Sequence, residues 1–178
     1  LGAAGARTRT LVLDADGAPA GGTTLETAVA AALDGADDVR GAVVLLGTAD
    51  TDLPDRPGVP HGLAGMLRWA AAAPLRTWWV TRGAAATGDP PAGTGAATLA
   101  GVVAAAEAGA PDLFGGHVDL PAPETAPGPG PAPAERLAAL LAGDTGERWA
   151  VRPDGVRAAR FAAAPAGGGP GAWWRPGG

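Results

Sequence analysis

The fold of this chain is decided by two stretches, Trp78-Trp79-Val80-Thr81-Arg82-Gly83-Ala84 and Pro111-Asp112-Leu113-Phe114-Gly115-Gly116-His117-Val118-Asp119-Leu120-Pro121. Aromatic and β-branched residues at 77–81 predict a strand, and a further strand is predicted at 116–120. Successive side chains of a strand point to opposite faces. Trp78 and Trp79 are therefore expected to be core or interface residues on opposite faces of one sheet.

Strands and helices alternate along the rest of the chain. Further strands are predicted at residues 11–13, 42–46, 148–152 and 156–161, and helices with apolar stripes are predicted to follow Thr23 and to run over residues 63–70, 99–106 and 137–141. The unbroken apolar run at 42–46 is typical of a strand covered on both faces of a parallel sheet. Pro153-Asp154-Gly155 is a turn signal and predicts a hairpin. Repeated βα units imply an α/β fold with helices on both faces of a parallel sheet.

The ends and buried faces of two helices are also predicted. Thr23 and Glu26 have the spacing of a capping box at the start of the first helix, which Gly35 ends. The second helix is expected to bury one stripe, made of Leu63, Met66, Leu67 and Ala70. Residues 122–134, rich in Pro, Gly and Ala, are expected to form an extended loop.

Composition restricts the classes of function. The length of 178 residues suits one domain. A net charge of −5 and a pI of about 4.9 argue against a nucleic-acid partner, which attracts a clustered basic face. No apolar run approaches the roughly 20 residues that span a bilayer, and Leu1 does not open a signal peptide. The absence of Cys excludes disulfides and thiol catalysis and fits a cytoplasmic protein.

The inventory of reactive side chains is small. The chain contains no Ser, Tyr or Lys, and Thr is its only hydroxyl residue. A Thr nucleophile needs an adjacent base or a free terminal amine, and neither arrangement is visible. His61 and His117 lack metal-ligand spacing, so no metal site is expected. His61 is expected near a helix start, and His117 on the solvent side of its strand. No catalytic, cofactor-binding or metal-binding residue is therefore assigned in this chain.

Two other patterns have some features of binding sites. Gly93-Thr94-Gly95-Ala96-Ala97-Thr98 is the nearest match to a dinucleotide fingerprint, but it follows a Pro-rich loop and lacks the third glycine, so a helix entry is expected instead. Asp14 and Asp16 are expected in a turn rather than at a cofactor ribose. The loop carboxylates at positions 50, 52 and 55 lack the spacing of a calcium loop.

The two opening stretches, at this spacing, resemble the structural subdomain of the ketoreductase domain in modular polyketide synthases. Residues 40–46, 137–143, 147–152, 155–161 and 174–178 resemble further segments of that subdomain, up to the lead-in to its catalytic partner. Residues 98–107 depart from the family, which usually has Trp-Gly and Gly-Arg there, with matches only at Gly101 and Glu107.

The resemblance implies a truncated Rossmann-like fold, a short-chain-dehydrogenase-like pseudo-domain at 1–162, followed by a linker at 163–178. In the family this half binds no cofactor and braces a second half, which binds NADPH and reduces β-ketoacyl groups on an acyl carrier protein. The implied partners are that catalytic half, the carrier protein and other domains of a multienzyme of antibiotic biosynthesis. The family's first strand and its catalytic half are not recognised in the sequence, and poor stability alone is expected.

Two alternatives stay open at this point. The chain could be the spacer of a reductively silent ketoreductase, which only sequence beyond residue 178 would distinguish. It could instead be a standalone small-molecule binding module of Rossmann-like fold, which predicts stabilisation by a ligand without a partner.

Overall fold

A computed structural model describes residue 5 and residues 7–14, 16–48, 52–53, 55–85, 87, 93–122, 132–143 and 146–160. The helices are α1 (Leu25–Leu33), α2 (Leu63–Ala72), α3 (Gly93–Gly109) and α4 (Pro133–Ala142), with a 3₁₀ turn at Pro111–Leu113. The strands are β1 (Ala42–Gly47), β2 (Asp52–Leu53), β3 (Arg56–Pro60), β4 (Thr77–Arg82), β5 (Phe114–Leu120), β6 (Arg148–Arg152) and β7 (Gly155–Ala158). The predicted linker at 163–178 lies outside the described residues.

Five strands form the main sheet in the order β1-β4-β5-β6-β7. The pairs β1–β4, β4–β5 and β5–β6 are parallel, and β6–β7 is the antiparallel hairpin. The parallel sheet and the C-terminal hairpin about Pro153 and Asp154 are therefore confirmed. The small antiparallel pair β2–β3 was not predicted, because its Arg-Pro-Gly-Val-Pro strand carries none of the alternation that marks a strand.

Helices cover the sheet on its two faces, as predicted. On one face, buried side chains of α1, α2 and α3 pack with Val44, Trp79 and Phe114. On the other face, Val80, Val118 and Val151 form a second cluster under α4. The central strand β5 lies between these layers and is buried along its whole length. Polar residues within β5 are therefore taken out of water and need internal partners.

Several local predictions were wrong in detail. Residues 11–13 make no strand: Leu13 forms only an isolated bridge to Pro19, since no neighbouring strand supplies a ladder. The cap of α1 is Thr24, whose hydroxyl accepts from the N–H of Thr27 at 3.2 Å, one residue after the predicted Thr23. Gly35 follows α1 with a φ of 65°, as its predicted stop requires.

The predicted burial also needs correction at two elements. In β1, Val44 is 5% exposed but Leu45 is 54% exposed, so this strand is not covered on both faces. It lies at the end of the strand order rather than inside the sheet. In α2, Met66 is buried as predicted, but Leu67 is 51% exposed and Ala70 is also exposed. Trp69 is buried instead. Residues 133–134 of the predicted loop belong to α4.

Candidate functional site

The stretches 78–84 and 111–121 lie side by side in the sheet. β4 and β5 pair in parallel with Trp78 opposite Gly116, Trp79 opposite His117 and Thr81 opposite Asp119. The first stretch therefore supplies one strand and the second supplies its neighbour. Their side chains meet in two places, at an aromatic slot and at a buried polar network.

The aromatic slot lies at the amino ends of the strands. The ring of Trp78 occupies space that side chains at Gly41 and Gly115 would fill: a Cβ built on Gly115 stands 2.6 Å from its Cδ2 atom, and one on Gly41 stands 2.5 Å from its Cζ3 atom. The guanidinium of Arg76 lies 5.1 Å from the ring centroid, within cation–π range. Trp79 points to the other face and is buried, as predicted.

The polar network lies at the carboxyl ends of the strands and is centred on Asp119, which is fully buried. Its Oδ1 atom accepts from the hydroxyl of Thr81 at 2.7 Å and from the N–H of Ala84 at 2.8 Å. Its Oδ2 atom accepts from the N–H of Ala85 at 3.1 Å and from Nη2 of Arg152 at 2.9 Å. A buried carboxylate is tolerated only when it is paired and hydrogen-bonded, and both of its oxygens meet that condition.

Arg152 has partners for all three guanidinium nitrogens. Its Nε donates to the hydroxyl of Thr87 at 2.9 Å, and its Nη1 donates to the carbonyl of Val151 at 2.8 Å. Besides Asp119, Nη2 also donates to the carbonyl of Ala85 at 2.9 Å. The guanidinium on β6 therefore binds the segment that follows β4 through Ala85 and Thr87. The ion pair with Asp119 is part of the packing at this edge of the sheet.

His117 extends the network on β5. Its Nε2 atom lies 2.8 Å from Oγ1 of Thr81. Because the Thr81 hydroxyl donates to the Asp119 carboxylate, Oγ1 accepts from an Nε2–H of the histidine. Burial lowers the pKa of His117 to about 4, an effect that the nearby Asp119 carboxylate partly offsets. The predicted solvent-facing position was wrong, because β5 is a central strand and both of its faces are covered.

Replacing His117 by Gln is expected to flatten the acid side of the stability profile. With a folded-state pKa of about 4 against an ordinary 6.5, the unfolded chain binds the extra proton between these pH values. Stability of the parent chain therefore falls as pH falls through this window, by at most about 1.4 kcal/mol per pH unit from this group. Gln keeps an Nε2 donor for Thr81 but does not titrate. Urea unfolding from pH 7 to pH 4 measures the slope.

The control for this experiment is His61→Gln, which removes the other histidine of the chain. His61 lies two residues before α2, near a helix start as predicted, and is half-buried. A slope reduced to the same extent by both substitutions would contradict the role of His117.

The other sequence candidates do not join this network. Gly93–Thr98 lies within α3, so it lacks the strand–turn–helix arrangement that presents glycine N–H groups to a pyrophosphate and does not fit one. Asp14 accepts from the N–H groups of Asp16 at 3.0 Å and Ala18 at 2.8 Å, which confirms the turn. Asp52 accepts from the N–H of Gly58 at 2.6 Å within the β2–β3 pair.

The remaining loop carboxylates give no site. Asp55 lies in the turn between β2 and β3, and position 50 is outside the described residues. Within the described ranges, no three His, Asp or Glu side chains converge as metal ligands would. None of the helices described here has the length and apolar character needed to cross a bilayer.

A small apolar cavity lies at the opposite end of the sheet from the polar network. Its walls include Trp69, Thr77, Trp79 and Phe114, and its volume is about 30 Å³. Sites for small-molecule ligands are typically ten times larger or more. This cavity is therefore a packing space between α2, α3 and the sheet.

The polar network is not indicated by any local sequence pattern. Thr81 and Asp119 fall in the two predicted strands and Arg152 in the predicted hairpin, and no role was predicted for them. One signal was present: His117 and Asp119 lie in a strand whose other residues are Phe, Gly, Val and Leu. In a strand covered on both faces, such residues are buried and must find partners.

Comparisons with known proteins identify relatives of this chain. It is 37% identical over 139 residues to polyketide synthase GfsA of Streptomyces halstedii, an alignment that covers 72% of the chain. Its fold matches the structure of an A1-type ketoreductase with a TM-score of 0.58, 32% identity and 80% of the chain covered. It also matches a structure of A-type ketoreductases from a modular polyketide synthase with a TM-score of 0.59, 33% identity and 78% coverage. No family model matches the chain.

The chain spans a small part of each relative, about 2% of the synthase and 31% and 30% of the two ketoreductase chains. The matches confirm the predicted α/β class and its Rossmann-like sheet flanked by helices. They also support a ketoreductase-related role for this chain.

Proposed function

We propose that this chain is the non-catalytic structural half of a ketoreductase domain in a modular polyketide synthase. In this role residues 1–162 form a truncated Rossmann-like subdomain and residues 163–178 lead towards a catalytic half, against which the subdomain packs. That half binds NADPH and reduces β-ketoacyl groups tethered to an acyl carrier protein. The chain itself contributes rigidity rather than chemistry.

The polar groups at the carboxyl ends of the strands support the non-catalytic part of this proposal. In open α/β sheets, ligands bind beyond the carboxyl ends of the strands. At that edge of this sheet, the Asp119 carboxylate, the Arg152 guanidinium and the Thr81 hydroxyl are hydrogen-bonded to one another or to the backbone. Groups committed to internal partners in this way support a brace better than a reaction site. The lack of Ser, Tyr and Lys in the sequence agrees with this role.

The test begins with the reading frame beyond residue 178. The proposal expects a strand, a G-x-G-x-x-G turn and later Ser, Tyr and Lys. The encoded segment is then expressed with and without this chain, and NADPH oxidation is measured with a β-ketoacyl thioester. Activity is expected only when both are present, since the brace completes the fold of its partner.

Other outcomes separate the alternatives. A downstream segment of similar fold without Ser, Tyr and Lys would identify a silent spacer. Full activity of the downstream segment alone would contradict the bracing role. A ligand that raises the unfolding temperature of this chain without any partner would favour a binding module.

A further inference from the structure

Four hydrogen-bond donors converge on one carboxylate at the end of β4 and β5. They are the Thr81 hydroxyl, the N–H groups of Ala84 and Ala85, and Nη2 of Arg152, and we call them together the carboxylate nest. Two of them serve each oxygen of Asp119, at distances of 2.7 to 3.1 Å. Consecutive backbone N–H groups of this kind form concave anion sites in proteins.

The donors of the nest are held in place by groups other than Asp119. Arg152 is fixed through Thr87, Val151 and the carbonyl of Ala85. The segment that carries Ala84 and Ala85 is anchored where the N–H of Gly83 donates to the carbonyl of Leu120 at 2.9 Å. The nest therefore has a structure that does not depend on a covalent link to its carboxylate.

The charged pair at the centre of the nest is also buried, and one of its donors is positively charged. The Asp119 side chain is 0% exposed and that of Arg152 is 7% exposed. Every donor comes from a residue at least 33 positions away from Asp119 in the sequence. Hydrogen bonds between charged partners in such surroundings are short and strong. A small free carboxylate would meet the same donors in the same geometry.

From this geometry we infer that the nest is a binding site for a small carboxylate which the chain fills with its own Asp119. The edge of the sheet where Rossmann-like folds hold anionic ligands thus carries a built-in anion.

The experiment removes the Asp119 carboxylate from the nest and adds a free carboxylate anion to the solution. Asp119→Ala removes a carboxylate of about the size of formate, so the variant is heated in sodium formate and in sodium chloride of equal ionic strength. Formate is expected to raise the unfolding midpoint of this variant with the logarithm of its concentration above the dissociation constant, by about 3–6 °C for each tenfold increase. Acetate is expected to act less well, because its methyl group would meet the Cβ of alanine.

Asp119→Gly reverses that preference, since the missing Cβ leaves room for the acetate methyl group. The parent chain and the double variant Asp119→Ala/Arg152→Met are controls that should gain nothing specific from either anion. If Asp119→Ala is unfolded without added anion, the readout is the circular-dichroism signal regained on titration with formate. A formate effect no larger than that on the parent chain, or no regained signal, would overturn the inference.

Discussion

Arg152→Met is expected to destabilise the chain by about 3–5 kcal/mol, because it breaks a buried ion pair from one side only. The Asp119 carboxylate stays buried with three donors but without its counter-charge. The substitution also removes the donors that reach Thr87 and the carbonyls of Val151 and Ala85. Urea unfolding at pH 7 measures the loss in the free energy of unfolding.

Arg160→Met is the matched control for this prediction. Arg160 pairs with Glu147 at 3.3 Å, and the two side chains are 62% and 43% exposed. Such a surface pair contributes about 0–1 kcal/mol, because water and salt screen it. If both substitutions lowered the free energy of unfolding equally, the buried Asp119–Arg152 pair would contribute no more to stability than a surface pair.

The architecture was largely predictable from sequence, because hydrophobic period and turn residues act locally. The apolar run at 42–46, the aromatic run at 77–81 and the Pro153-Asp154 turn each predicted an element that the structure contains. The errors arose where an element depends on a neighbour. Leu11 and Leu13 pack against the core but pair with no strand of the sheet, and no local pattern shows whether a ladder partner exists.

The polar network was not predictable in the same way, because its members are distant in sequence. Thr81, Asp119 and Arg152 belong to three strands, and they meet only through the strand order β4-β5-β6. That order is a tertiary property. His117 shows the consequence: its position in the strand was predicted, but its predicted face required that one side of β5 meet solvent. Once β5 is central, both His117 and Asp119 are interior.

The pairing of β4 with β5 explains why the stretches 78–84 and 111–121 occur together in one chain. Thr81 of the first donates to Asp119 of the second. At the other end of the strands, the Trp78 ring of the first lies against Gly115 of the second. The first stretch supplies the hydroxyl and the indole ring, and the second supplies the carboxylate and the glycine that these groups contact. Their joint presence therefore indicates this sheet.

Gly115→Ala tests that dependence and is expected to cost about 1–3 kcal/mol, the usual range for overpacking a core. The new Cβ would stand 2.6, 2.8 and 3.0 Å from three atoms of the Trp78 ring. The ring cannot withdraw towards β1, because the space on that side is already closed by Gly41. The strand or the indole must therefore shift. Chemical unfolding of the variant measures the cost.

A double-mutant cycle separates this clash from a general effect of alanine in the strand. In a Trp78→Leu background the clash is relieved, so Gly115→Ala should cost less by a coupling energy of about 0.5–3 kcal/mol. Gly101→Ala in α3 is the control with the opposite sign: its Cβ meets no atom within 4 Å, and the change should stabilise the helix by about 0.5–1 kcal/mol. An undiminished cost of Gly115→Ala in the Trp78→Leu background would mean that the glycine serves the backbone of β5 and not the tryptophan of β4.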